Sequence, residues 1–341
     1  MDVTQLAEEI VQGRRLTGKE AKELLVEAPL EELLAGADVI RKHFCGDIVN
    51  LCTIINGRSG KCSEDCKYCA QSSHYETSCK EYSFLSTEEI LAEAAGNDQE
   101  GVDRFSVVTS GRTLTGIEFE KALDAYKAMR NNCPELELCA SHGLLTRQQF
   151  AQLKDAGVGR YHANIETSER NFPNICTTHS FQDKIDVIKL AQNEGLEVCS
   201  GGILGMGETW EDRIDMAITL GELGVTSIPL NVLTPIPGTA FADSAPLEEE
   251  EILRTVAIFR YLVPDSDIRL AAGRSLLTNF GERAFKGGAN ATITGNMLTT
   301  LGSTIAGDRA LMHSMGRTLS RSEKTEEVCK SNGATAVARK M

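Results

Sequence analysis

Three cysteines crowd into the stretch GKCSEDCKYCAQSS, at Cys62, Cys66 and Cys69, with the spacing C-x3-C-x2-C. A loop this short has no interior in which to bury three thiols, so packing does not account for them. A soft metal does, because thiolate is a soft ligand. Two chemistries fit the spacing. Zinc would take a closed fourth position, which His74 stands close enough in the chain to supply. A four-iron cubane held by three cysteines instead leaves one iron open to a substrate or cofactor.

The whole chain carries 11 cysteines among 341 residues. An odd number without a secretory signal is a poor disulfide framework. Cys79, Cys133, Cys176 and Cys329 fall on loops, helix ends or the tail and read as incidental, and Cys45, just ahead of the first apolar run, is a remote candidate ligand. The 6 histidines show no pairing at metal-ligand spacing.

The elements that must hold such a loop are legible as an alternation. Short apolar runs lie at residues 48–55, 104–110, 136–142, 161–166, 196–203, 227–233, 267–273 and 290–294, with amphipathic stretches between them. The stretch 115–131 puts Phe119, Leu123, Tyr126 and Met129 on one helical face; the stretch after Pro246 does the same with Ile252, Val256, Phe259 and Val263 until Pro264 stops it. Eight strands each followed by a crossover predict an α/β fold, a (β/α)8 TIM-type barrel rather than an open doubly wound sheet. Residues 1–45 read as a short helical extension, 46–319 as the barrel and 320–341 as a polar tail. In a barrel, functional groups belong at the C-terminal ends of the strands.

Charge narrows the partners. With 35 basic and 49 acidic residues the net charge is −14, which argues against nucleic acid or an anionic membrane surface. The first residues lack the apolar core of a signal peptide, and the uncharged stretch Val225 to Ala242 carries Pro229, Pro235 and Pro237, so no membrane span is expected. The expected location is the cytoplasm.

The triplet spacing, with aromatic Tyr68 just before the third cysteine and a barrel pattern around it, resembles the radical S-adenosylmethionine superfamily. There the open iron of a [4Fe–4S] cluster chelates S-adenosylmethionine. An electron from the cluster cleaves it to a 5′-deoxyadenosyl radical, which takes hydrogen from an unactivated carbon. The segments KCSEDCKYCAQSS, NIETS, NICTTHSF, VCSGGILGMGET, IPLNVLTPIPGT, IRLAAGR and GGANATITG, in this order, are similar to the biotin synthase family within it, from about Phe44 to Ala306. The resemblance implies that Cys62, Cys66 and Cys69 hold the [4Fe–4S] cluster and that Asn164 and Glu166 bind the cofactor's ribose, Glu166 standing where the family often has Asp. It places Tyr68 along the cofactor and Lys184 near its carboxylate, an exposed helix lysine being the other reading. It also implies that Asn231, with Asn164, meets the ureido ring of dethiobiotin, for which an amide offers both donor and acceptor. Gly202 and Gly205 have the wrong spacing for a dinucleotide fingerprint and suit a strand end where backbone approaches the cofactor.

The same resemblance implies a second, auxiliary iron–sulfur cluster deeper in the barrel, usually [2Fe–2S] and the sulfur donor. Three cysteines and an arginine hold it. Cys139, Cys199 and Arg269 occupy three of these positions, and an inward arginine on a strand is otherwise hard to explain. The third cysteine position holds Ser106, whose oxygen is a poor substitute for thiolate. Cys52, however, stands where serine is expected. The two changes read as an exchange that keeps three thiolates facing one interior, giving Cys52, Cys139, Cys199 and Arg269. The alternative is a buried core cysteine at Cys52 beside a degenerate site. Moving one ligand also brings in a four-iron cluster with an extra sulfide as the alternative to [2Fe–2S]. The implied activity is sulfur insertion into dethiobiotin to form biotin, with a flavodoxin or ferredoxin as electron donor and a homodimer as the assembly. The competing readings are a related radical enzyme without sulfur insertion and a non-enzymatic iron–sulfur or zinc module.

Overall fold

In the computed structural model, residues 2–295, 297, 298 and 302–321 are described. Each expected apolar run contains a strand: β1 (Ile48–Arg58), β2 (Arg104–Thr109), β3 (Glu137–Ser141), β4 (Val158–His162), β5 (Glu197–Cys199), β6 (Gly202–Leu204), β7 (Ser227–Val232), β8 (Asp267–Leu270) and β9 (Ala291–Ile293). They pair in parallel in the order β1-β2-β3-β4-β5-β7-β8-β9, and β9 pairs back onto β1, so the sheet closes into a barrel. β5 and β6 are two halves of one stave, both paired with β7. A two-residue strand β10 (Thr318–Leu319) joins the outer start of β1.

Two runs depart from the expected bounds. The run at 161–166 ends as a strand at His162, after which Glu166, at φ 70°, keeps one isolated bridge to Gly202. The run at 196–203 breaks at Ser200 and Gly201, where a Cβ on Gly201 would stand 2.0 Å from the Pro229 carbonyl oxygen. At the expected tail, Ser320 still donates to Asp103 and Arg321 pairs with Asp98. The remainder, 322–341, lies outside the described residues, as does Cys329.

The helices are α1 (Val3–Val11), α2 (Gly18–Leu25), α3 (Leu30–Cys45), α4 (Thr87–Gln99), α5 (Gly116–Asn132), α6 (Arg147–Asp155), α7 (Phe181–Asn193), α8 (Trp210–Glu222), α9 (Glu249–Leu262), α10 (Glu282–Phe285) and α11 (Ile305–Ser314). Four crossover helices start from reciprocal capping boxes: Ser86 with Glu89, Thr146 with Gln149, Ser180 with Asp183 and Thr209 with Asp212. Each box satisfies two orphan N–H groups and fixes where the chain leaves its loop. The expected apolar faces of α5 and α9 are buried against the barrel, and α3 packs on α9 while α1 packs on α3. No helix among the described residues is long and apolar enough to cross a membrane.

The two ends of the barrel differ. At the N-terminal ends of the strands, Arg104 pairs with Glu137 and Glu197, and Arg160 pairs with the same Glu197 at 2.7 Å. These ion pairs close the floor. Near it, the buried guanidinium of Arg260 donates to the carbonyls of Gly288, Pro264 and Ser266 and to Asn290 Oδ1, which also accepts from Ile268 N. That one side chain ties α9 to the start of β8, which carries Arg269, and to Asn290 just ahead of β9. Arg260→Met leaves several buried acceptors unpaired and is expected to cost about 3 kcal/mol, read as a lowered midpoint in urea unfolding of the anaerobic protein.

Candidate active site

Residues 59–86 follow β1 as a loop over the open end of the barrel. Its turns are closed by its own backbone: Cys69 N donates to Cys66 O at 3.0 Å, Cys62 N to Gln71 O at 3.0 Å and Ser73 N to Cys62 O at 2.8 Å. The loop is pinned to the segment before α7 by Lys67 N to Ile175 O at 3.0 Å. Cys62, Cys66 and Cys69 all reach the wall of a cavity of about 380 Å³ that runs down into the barrel. The three thiols are not mutually within 4.8 Å. Ligands of one tetrahedral ion would lie closer than that, whereas a cubane separates its thiolates; the spread fits the cluster and not zinc. His74 bonds the carbonyl of Ser63 at 3.0 Å instead of joining the thiols.

Below the loop, β4 and its continuation present His162, Asn164 and Glu166 to the cavity at alternate positions. Asn164 Oδ1 accepts from Gly201 N at 3.0 Å. Glu166 is held in its left-handed conformation by the bridge to Gly202, and its buried Oε2 has no hydrogen-bond partner. A buried, unpaired carboxylate oxygen is an acceptor awaiting a donor, as a ribose hydroxyl would supply. Tyr68 faces it, and burial together with Glu166 pushes its phenol well up. Lys184 on α7 reaches the same wall.

The two glycines and Asn231 all have partners within the protein. Gly202 and Gly205 are not on the cavity wall. A Cβ on Gly202 would stand 2.3 Å from the Glu166 carbonyl, and the Gly205 N–H is taken by Glu208 at 2.8 Å. Their glycine requirement is one of packing and turn conformation. Asn231 does line the cavity, but Nδ2 donates to Gly202 O at 3.1 Å and Oδ1 accepts from Ala272 N at 3.2 Å. One N–H and one lone pair of its amide remain for a ligand.

At the bottom of the cavity stand Cys52, Ser106, Cys139, Cys199 and Arg269, each from a different strand. Register aligns Ser106 with Cys139, Cys139 with Arg160, and His162 with Cys199. Arg269, 1% exposed, donates Nη1 to the carbonyls of Asn50 and Thr292 at 3.2 and 3.0 Å. Its Nη2 has no hydrogen-bond partner, and neither has Ser106 Oγ. Nη2 has only a long ion-pair contact, 3.9 Å to Asp267 Oδ2, and a buried guanidinium nitrogen without a hydrogen bond, on the same cavity wall as three thiols, fits an anionic sulfur-bearing group.

The thiols are not equivalent. Burial pushes Cys52 up to about 12 and also raises Cys139, with Arg269 opposing the first and Arg160 the second. Burial alone would raise Cys199 as well. There a hydrogen bond with His162 and the charges of Arg269 and Arg160 outweigh it, holding the thiol down at about 6.

The chain matches the radical SAM superfamily over residues 56–220 and the Biotin and Thiamin Synthesis associated domain over 229–318. It is 58% identical to the biotin synthase of Alkaliphilus metalliredigens over 316 residues, covering 93% of this chain and 99% of the relative. With the biotin synthase of Clostridium beijerinckii it shares 57% identity, covering 92% and 98%. The chain belongs to the biotin synthase family. Among solved structures, methylornithine synthase superposes with a TM-score of 0.80 at 18% identity, covering 95% of this chain and 99% of that one. At that identity the likeness is one of fold: the closed α/β barrel.

Within this biotin synthase family chain, the structure adds residues that sequence reading passed over. Arg160 and His162 are inward neighbours of Cys139 and Cys199, which their place in β4 shows only once register is known. Cys176, read as incidental, lies 3.7 Å from Cys66, and His179 stands 3.3 Å from it, so the histidines do enter a potential ligand group. The signal available was C-x2-H at 176–179, outside any cysteine pair.

The unequal thiols give a prediction for the cluster-free chain. Deprotonation of Cys199 increases as pH rises through about 6, so its alkylation by a small neutral reagent climbs there and levels off above it. Cys52, pushed up to about 12, stays unlabelled at neutral pH. His162→Phe moves the Cys199 edge upward. Equal labelling of both thiols at pH 7 contradicts the assignment.

Proposed function

We infer that this chain converts dethiobiotin to biotin by inserting sulfur between two saturated carbons. The observation that carries the reading is vertical: three loop thiols at the mouth of one cavity, and three more at its base with an arginine nitrogen that has no hydrogen bond. Family membership supports the substrate. When bound, S-adenosylmethionine and the clusters supply the electron, the hydrogen-abstracting radical and the sulfur.

What the chain itself does follows from its side chains. Cys62, Cys66 and Cys69 would hold the [4Fe–4S] cluster, which would leave one iron free to bind the cofactor. Glu166 Oε2 and Asn164 would orient the cofactor ribose beneath it, and Lys184 would balance its carboxylate. Asn231 would offer its remaining N–H and lone pair to the ureido ring. Cys52, Cys139, Cys199 and Arg269 would hold the auxiliary cluster, Cys52 taking the part that Ser106 cannot play. Arg160 and Arg269 bring two cations to that base, which favours a more anionic group and therefore a four-iron cluster with an additional sulfide over [2Fe–2S]. Asn231, on the wall between the loop thiols and the base thiols, would hold the substrate between the two groups. Water is kept from this path by an apolar upper wall that includes Ile203, Val232 and Leu233. The reading requires an external one-electron donor of flavodoxin or ferredoxin type.

Anaerobic full-length protein, reconstituted with iron and sulfide, is expected to yield biotin and 5′-deoxyadenosine from dethiobiotin, S-adenosylmethionine and reduced flavodoxin. Cys66→Ala abolishes both products. Cys52→Ser lowers biotin by about 100-fold or more and removes the auxiliary iron, while 5′-deoxyadenosine still forms. Ser106→Ala retains that iron. Unchanged auxiliary iron in Cys52→Ser overturns the exchange of ligands between β1 and β2.

A further inference from the structure

Cys176 has no part in the reaction described above, yet it is the most heavily contacted thiol at the mouth. It lies in the segment before α7 and is 4% exposed. Its sulfur is 3.7 Å from Cys66 Sγ, 3.1 Å from Asp65 Oδ1 and 3.3 Å from His179 Nδ1. Among the described residues this is the one thiol–thiol hydrogen bond.

The two sulfurs are held together by their backbones. On one side Lys67 N donates to Ile175 O at 3.0 Å. On the other, Asp65 accepts from the N–H groups of Thr177 and Thr178 at 2.9 and 3.2 Å, while its own N–H donates to Thr178 Oγ1 at 3.2 Å. With the neighbouring residues tied on both sides and the sulfurs 3.7 Å apart, the gap to the roughly 2 Å of a disulfide is one that side-chain rotation can close. Glu64 locks the far side by accepting from His179 Nδ1 at 2.6 Å and from Thr178 Oγ1 at 2.9 Å.

We propose that Cys66 and Cys176 form a reversible disulfide when the mouth holds no cluster. The oxidant is a low-molecular-weight disulfide, RSSR. Cys66, the thiol on the cavity wall, donates its S–H to Cys176 Sγ. It gives up that proton through Cys176 as it attacks RSSR, and the released RS⁻ takes the proton, leaving Cys66 in a mixed disulfide and Cys176 as the thiolate. The Cys176 thiolate then attacks the Cys66 sulfur, forms the protein disulfide and releases the second RS⁻. Two protein thiols are oxidised, one RSSR is reduced to two RSH, and the reverse exchange with excess thiol restores both cysteines. The disulfide needs only the contact; its use as a guard rests on reading Cys66 as a cluster ligand. A thiol that must bind iron is lost once it reaches the sulfinic state, and a disulfide keeps it below that rung.

The test uses the full chain purified anaerobically, once with its cluster and once after chelation under reductant. Both are treated with glutathione disulfide, blocked by alkylation and mapped without reduction. The expected result is a Cys66–Cys176 linked peptide in the cluster-free protein and none in the loaded one. After hydrogen peroxide followed by excess thiol, wild type should regain iron about fivefold better than Cys176→Ser; equal iron in the two proteins before treatment shows that the variant folds. A link from Cys66 to Cys62 or Cys69, or Cys66 left glutathionylated beside a free Cys176, overturns the proposal. Equal iron recovery overturns the guard role. Iron content of Cys66→Ala reads the ligand assignment separately, and its failure leaves the linked peptide to stand or fall on its own.

Discussion

Alternation in a closed parallel sheet is the constraint on which this molecule depends. In a barrel, every second side chain of each stave points inward, and neighbouring staves bring those side chains to one level. Ser106, Cys139 and Arg160 share such a row across β2, β3 and β4; His162, Cys199 and Ser227 share another. A ligand can therefore pass from one stave to the next without leaving the interior: Cys52 on β1, paired with Arg104 and two positions before Ile54, the partner of Ser106, still faces the same cavity as Ser106 on β2. A shift of one position would turn the thiol toward the helices.

The electrostatics follow from that geometry. Burying three thiols would by itself keep all of them protonated, and for Cys52 and Cys139 it does. Cys199 differs because the adjacent stave supplies His162. Arg269 spends one nitrogen on strand-end carbonyls and leaves another with no hydrogen bond, only a 3.9 Å ion-pair contact to Asp267, which makes it at once a structural tie and a donor with capacity to spare. The mouth works otherwise. There the loop makes its own backbone scaffold, and carboxylates, not strands, set the spacing: Asp65 and Glu64 draw the segment 175–179 onto the cysteine loop.

Much of this was legible in the residues. The triplet announces itself by spacing alone, and the barrel by eight apolar runs with crossovers between them. Cys52 could be set against Ser106 only because the family resemblance says which strand positions are expected to carry thiolate and which serine. The bounds at 161–166 and 196–203 were not readable, since a left-handed Glu166 and a backbone approach at Gly201 depend on contacts between staves. Gly202 and Gly205 were assigned to the cofactor because glycine marks close approach without saying to what. Cys176 escaped for a plainer reason. Its partner lies 110 positions earlier in the chain, and no local pattern joins them.

The ion pairs of Arg104, Glu137, Arg160 and Glu197 lie across the N-terminal end of the barrel, while the cavity that reaches Cys52, Cys139 and Cys199 also reaches the cysteine loop at the other end. Entry past the cysteine loop thus sets a last-in, first-out order: a group at the base goes in before anything held at the mouth. Exchange at the base by that route waits on clearance of the mouth, whatever the pace of the chemistry inside.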